Sequence, residues 1–206
     1  MNDMDAKEFW SWFTKNQNKY FFLNQVESNV KEKLLNDFQI QIHKFCNSLF
    51  FEIGGHPDKT QDLIITAEGN TQYFNKVEEL VNAAPKLKDW NIIAFKPPME
   101  FGYKLTYANI SADSNNLWFL PLENKELPNS LAFRIGFPDF ESNKEKDFKF
   151  IAYLILDTIL GEKSTALDID YMDVDILPDD PDNNGFIHLR ELKNYIDWHK
   201  KKTNAS

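Results

Sequence analysis

Apolar residues along this chain change their spacing from one segment to the next, and this switching of period restricts the fold more than any other feature. Val30, Leu34, Leu35, Phe38, Ile42, Phe45 and Cys46 recur at intervals of three and four, the stripe of an amphipathic helix that Ser28 is placed to cap. Leu49–Ile53 and Asp62–Ala67 follow as short β-type runs, with Gly54, Gly55, Pro57 and Asp58 between them as turn chemistry, so a hairpin is expected. The helical period returns in Phe74, Val77, Leu80, Val81 and Ala84, capped by Asn70 or Thr71 and stopped by Pro85. Strand-like runs then cover Trp90–Phe95, Tyr103–Ile110, Asn116–Leu122 and Ser130–Phe137. A helix over Asp147–Leu160 ends at Gly161, where a left-handed residue belongs. Leu167–Tyr171 and Val174–Ile176 alternate as strand with the parity switched at Met172, which a β-bulge would repair. A last helix runs from about His188 to Lys200.

Strands interrupted by single helices predict an α+β fold, with a mostly antiparallel sheet, helices packed on one face, two N-terminal helices and a C-terminal helix. Asp3 or Asp5 caps the first of these helices, which reaches about Lys15. A length of 206 residues fits one domain, 1–206. Its 1–47 region is expected to dock on the sheet, because Tyr20–Leu23 is too apolar for a free linker. Aromatic residues make up 15% of the chain, enough large apolar surface to build a core without covalent staples. Cys46 is the single cysteine, which excludes an internal disulfide; its place on the apolar stripe predicts a buried, inert thiol. No fixed-period repeat is visible.

The balance of 23 basic against 32 acidic residues gives a net charge of -9, which opposes approach to a phosphate backbone and disfavours nucleic acid as a partner. The acidic start, Met1–Asp5, is unlike a secretory signal, and no apolar run approaches the length of a membrane span, so a cytoplasmic protein without a transmembrane segment is expected.

Leu63–Asn70, then Ala83–Ala84–Pro85, Trp90 and Ile93–Pro98, and later Leu156–Asp157 with Leu160–Gly161–Glu162, resemble a pattern found in a family of uncharacterised bacterial proteins of unknown function. That resemblance implies a strand, turn, helix and strand core and carries no chemistry.

One local pattern does. Asp180–Glu191 matches the EF-hand loop, with oxygen side chains of Asp180, Asp182 and Asn184 at positions one, three and five, Gly185 at the sharp turn, the Phe186 carbonyl at seven and Glu191 at twelve. A hard cation needs six to eight such oxygens, so Ca²⁺ is the cofactor this spacing would take. Three features oppose it: a strand is expected where an entering helix belongs, Pro181 is an awkward second residue, and no second loop is present. The alternative is an Asp/Asn-rich turn capping the terminal helix. Aspartates 168, 170, 173, 175, 179, 180 and 182, with no basic residue between Ser164 and Leu189, form a negative run that would attract a cation or a basic partner.

Catalytic patterns are weak. His43, His56, His188 and His199 are scattered without zinc spacing, and no nucleophile elbow or phosphate loop exists. His56 at the hairpin tip and Glu68 at a strand end are the candidates for acid–base work, so a hydrolase is the third reading. The first is a non-enzymatic binding or regulatory protein, meeting a protein partner through the acidic C-terminal surface or through Phe9, Trp10, Trp12 and Phe13; the second is a Ca²⁺-binding or Ca²⁺-stabilised protein.

Overall fold

A computed structural model describes residues 4–55 and 60–204, and they build an α+β structure with six helices, nine strands and three mostly antiparallel sheets. The chain gathers into two compact units, Met1–Lys96 and Pro97–Ser206.

In the first unit, α1 (Ala6–Asn16) starts at a capping box in which the Asp5 side chain accepts from the Glu8 N–H while Glu8 reaches back to the Asp5 N–H. Of the two predicted caps this is Asp5; Asp3 lies outside the described residues. Helix α2 (Ser28–Phe45) leads to β1 (Phe50–Gly55), which pairs antiparallel with β2 (Gln61–Thr66) from Phe50↔Thr66 to Gly55↔Gln61. Helix α3 (Phe74–Asn82) carries the chain over to β3 (Trp90–Ala94), parallel to β2, as a parallel connection requires. Phe38 and Ile42 are the fully buried residues of α2, whereas Val30 is exposed and Cys46 ends the helix half-buried. The predicted stripe is therefore narrower than its spacing suggests.

The core of this unit is made of rings. Phe38 lies edge-on to Phe9, Trp12, Phe13 and Tyr20 and stacks on Phe51 at 4.1 Å between centroids. Trp10 satisfies its buried N–H on the Leu80 carbonyl at 2.7 Å, fixing α1 to the end of α3.

The second unit opens with a two-stranded sheet, β4 (Lys104–Tyr107) and β5 (Ile110–Asp113). Sequence spacing treats 103–110 as one run, but Ala108 and Asn109 both take positive φ, 48° and 63°, which makes a two-residue hairpin turn. Ala is a rare first residue for such a turn, so the signal was hidden. A four-stranded sheet follows in the order β8-β7-β6-β9: β6 (Trp118–Leu122), β7 (Ala132–Phe137), β8 (Tyr171–Ile176) and β9 (Ile187–His188). Strands β6 and β7 are antiparallel, β7 and β8 parallel, and the crossover is α4 (Glu145–Leu160) with α5 (Glu162–Asp168), hinged at Gly161 with φ 80°. Strand β9 pairs only with Trp118 and Phe119, and so stops short of Pro121, which has no N–H to offer a neighbour.

Residues 167–169 correct the sequence reading. Leu167 and Asp168 belong to α5, and β8 begins at Tyr171 in unbroken register with β7, so no bulge occurs at Met172. The switched parity was a helix end read as strand. The inner sheet face, Phe119, Phe133, Ile135, Phe137 and Val174, is covered by Phe148, Ile151, Ile155 and Leu156 of α4 and by Leu192 and Ile196 of α6 (Leu192–Asn204). No helix among the described residues is long and apolar enough to cross a membrane.

Candidate functional site

The EF-hand-like segment is entered from strand β8, not from a helix. Asp182–Asn184 form a single 3-10 turn, Gly185 takes the left-handed φ of 79° that lets the chain reverse, and Ile187–His188 then join the sheet beside β6. The Asp180 carboxylate accepts from the Asn183 side-chain amide at 2.6 Å and from its backbone N–H, and the Asn184 amide donates back to the Asp180 carbonyl at 2.6 Å. Glu191 accepts from the Asn194 amide at 2.8 Å. Asp180, Asp182, Asn184 and Glu191 are exposed, while the Phe186 side chain is buried at 8%. Among the described residues no three His, Cys, Asp or Glu side chains stand together in a way that could hold a metal ion.

What the loop does hold is the outer face of the sheet. A Cβ on Gly136 of β7 would lie 2.7 Å from Leu177 and 2.9 Å from Phe186, so the missing side chain of Gly136 is the space into which this loop folds. At Gly185 a Cβ would lie 3.5 Å from Leu120 of β6, an ordinary contact, so this glycine is needed for its left-handed backbone and not for space. At the exit, His188 caps the start of the terminal helix: its Nδ1 accepts the Arg190 N–H at 3.2 Å, and its Nε2 is 2.9 Å from the Asn115 carbonyl, which it can reach only as a donor.

Three aspartates of the negative run are paired in space with basic residues that are distant in sequence. Arg134 reaches Asp175 at 3.1 Å and Asp173 at 4.0 Å, Lys149 bridges Asp173 at 3.0 Å and Glu145, and Lys200 meets Asp168 at 2.7 Å. Asp170 accepts the Leu131 N–H at 2.7 Å. Burial alone would raise the Asp173 carboxyl, but the Lys149 hydrogen bond, the Val174 N–H and the Arg134 charge outweigh it and hold the group below the usual carboxylate range. Lys149 is pushed up by its hydrogen bonds to Glu145 and Asp173.

Where the β6–β7 loop leaves the sheet, concave surfaces form on both of its sides. One, of about 890 Å³, is lined by Leu127, Pro128 and Tyr171; the other, of about 330 Å³, by Pro128, Tyr195, Trp198 and His199. Leu127 at 61%, Tyr171 at 52% and Trp198 at 51% are exposed to solvent and lie around these two hollows. Glu123 and Glu126 rim the larger hollow, and Lys202 sits over the Trp198 ring. Burial pushes the Tyr195 phenol up, with the Glu123 charge adding to the shift, so its O–H remains a donor. Sequence reasoning missed this surface because Leu127 and Trp198 carry no motif; Trp198 falls off the inward stripe of Leu192, Tyr195 and Ile196, which is the one signal that could have found it.

Of the two catalytic candidates, His56 lies outside the described residues. Glu68 is an exposed turn residue with φ 50° at the end of β2, and lines neither of these two hollows. Phe9, Trp10 and Phe13, expected as a partner surface, are buried in the first unit's core, because α1 turns its aromatic face onto α2 and the sheet.

No family model, no curated protein and no solved structure matches this chain.

Proposed function

We propose that this chain is a protein-binding module, and that its partner seats on the surface around the β6–β7 loop. The observation that carries this reading is the exposure of Leu127, Tyr171 and Trp198 around two hollows that share one loop. Tyr and Trp are the side chains that concentrate binding energy at interfaces, and hollows of this size accept anchoring side chains. Glu123, Glu126 and Asp170 outnumber Lys125 around the larger hollow, which favours a basic residue of the partner there, while Lys125 and Lys202 beside Trp198 leave the smaller hollow to an apolar anchor. The cytoplasm suits such a module, since Cys46 has no partner for a disulfide within the chain.

The test replaces Trp198 with a photo-cross-linking aromatic residue in cells, and Ile40, exposed on α2, with the same group as a control. A discrete protein adduct formed from position 198 and not from position 40 supports the reading. Cross-linking no stronger at 198 than at 40 would falsify it.

Cation binding at 180–191 is a second reading, favoured by the left-handed Gly185 and by the pairing of Ile187 with β6, which reproduce the backbone of a cation loop from its sixth to its eighth residue. Against it stand the Asn183 and Asn184 amides that already occupy Asp180, so melting with millimolar Ca²⁺ is expected to show no shift, and a rise that is lost in Glu191→Gln would carry this reading over the first.

A further inference from the structure

Both units contain the same run of elements: an antiparallel strand pair, a helical crossover, and a third strand parallel to the second. In the first unit these are β1, β2 and β3; in the second, β6, β7 and β8. The first strand of each set has its second edge facing away from the set. In the second unit that edge is filled: Ile187–His188, a two-residue extended segment, pairs with Phe119 and Trp118 of β6. In the first unit the corresponding edge of β1 pairs with no strand among the described residues.

Beside that edge runs a groove of about 660 Å³. One wall is Phe51–Gly55 of β1, joined beyond Gly55 by its partner Gln61 of β2, and the other is Leu23 with a face of α2 that carries Lys31, Leu35, Asn36 and Gln39. Neighbouring strand residues point to opposite sheet faces, so five in succession along β1 place the groove beside the strand's length rather than over one face alone. The edge also lacks the usual guards against pairing: β1 has no proline or lysine, and Glu52 is its one charge. A Cβ on Gly54 would meet nothing within 4 Å among the described residues, so a second backbone can come close there, whereas at Gly55 the space is taken by Thr60 and Gln61.

We propose that β1 receives an extended peptide from a partner protein, which joins the sheet as its fourth strand in the groove against α2. Main-chain hydrogen bonds to β1 hold it, alternate apolar side chains turn towards Leu35, and an acidic residue of the peptide meets Lys31, the one cation on the described walls. A bare segment is the occupant because β9 shows that form on the equivalent edge, and because a second copy would arrive with its own helix. Antiparallel pairing of two β1 edges about a two-fold axis brings both α2 helices to the same face of the joint, into the groove that the strand must enter. This site is independent of the Trp198 surface, which belongs to the other unit.

The full chain is panned against a displayed library of random short peptides, and the enriched sequences are synthesised. Enriched peptides should alternate apolar residues and carry a carboxylate, and adding one should slow amide exchange across Phe51–Gly55. Lys31→Glu should weaken binding by at least about fivefold, from the lost and then reversed charge pair. N-methylation of alternate peptide residues, which removes main-chain donors, should abolish binding while Trp198→Ala leaves it intact. The proposal is overturned by failure to enrich any sequence, by bound peptides that leave exchange in β1 unchanged, or by N-methylated peptides that bind equally well. Protection of β1 that rises with protein concentration alone would identify a second copy as the occupant and overturn it too.

Discussion

The two units place their strands alike and cover them differently. In Met1–Lys96 the sheet is closed by interlocking rings, with Phe38 in contact with five other aromatic residues. In Pro97–Ser206 a face of α4 that is aliphatic except for Phe148 covers the inner side of the sheet, and charges bind the edge strand, Arg134 and Lys149 against Asp173 and Asp175. The contrast teaches that one strand order can be stabilised by apolar area and ring geometry or by a core with an ionic border, and that the two solutions fail under different conditions. Rings tolerate acid and lose packing when truncated; an ionic border is sensitive to pH and gives way in smaller steps.

The largest effect is therefore expected from Phe38→Ala. Removing a fully buried ring costs about 3–5 kcal/mol, since the surrounding aromatics cannot collapse into the space. The denaturant midpoint should fall accordingly, with accelerated amide exchange concentrated in 4–96. Equal acceleration throughout 97–204 would mean that the two units unfold as one and would erase the comparison.

Gly136→Val comes next. Its side chain would occupy the space of Leu177 and Phe186, and overpacking of that kind costs about 1–3 kcal/mol. Exchange should rise in 177–188 first, because the loop is what yields. A variant as stable as the parent would show that the loop is not seated on the outer face of the sheet.

These two sites also show what a sequence makes legible. Period and turn residues identified every helix longer than eight residues and most of the strands, because those signals are local. The α5 helix and the Ala108–Asn109 turn were not legible: seven residues give too little periodicity, and alanine seldom takes positive φ. The loop at 180–191 was recognised for its oxygens, yet the glycine that accommodates it, Gly136, is distant in sequence and has no side chain to signal a role. The ion pairs within the negative run were not legible for the same reason, since Arg134, Lys149 and Lys200 come from other elements. Leu127, Tyr171 and Trp198 form a surface only once β6, β8 and α6 are placed.

pH sharpens the contrast at the acid end, whereas raised phenols stand in both units, Tyr20 in the first and Tyr195 in the second. The Asp173 carboxyl is depressed in the folded state, so its contribution is present above the unfolded carboxylate value of about 3.9 and is lost as pH falls through the lower folded value. Asp113, held down by Lys104, acts in the same direction in the same unit. Tyr20 is raised to about 12, first by burial and then by the charge of Asp37. Its contribution is complete below the unfolded phenol value of about 10 and is lost as pH rises towards the folded one. Exchange measured down to acid pH should loosen 97–204 first, and Asp173→Asn should flatten that limb. Tyr20→Phe, which keeps the ring and removes the ionisation, should flatten part of the alkaline limb in 4–96. An acid limb centred on 4–96 would contradict the division drawn here.

The smallest effect expected is that of calcium, and it bears on whether the second unit's acidic loop is a ligand site or a clamp. Asp180, which a cation would need first, already accepts two hydrogen bonds from Asn183, and Asn184 donates its amide to the Asp180 carbonyl where it would have to turn its oxygen inward. Binding would have to break these bonds and bring Glu191 away from Asn194, so millimolar Ca²⁺ is expected to leave the melting temperature unchanged. A rise in melting temperature that disappears in Glu191→Gln would show that the loop rearranges to take the ion. In that case the seating of Phe186 on Gly136 would become the means by which a cation stiffens the sheet, and Gly136→Val should weaken calcium binding together with stability.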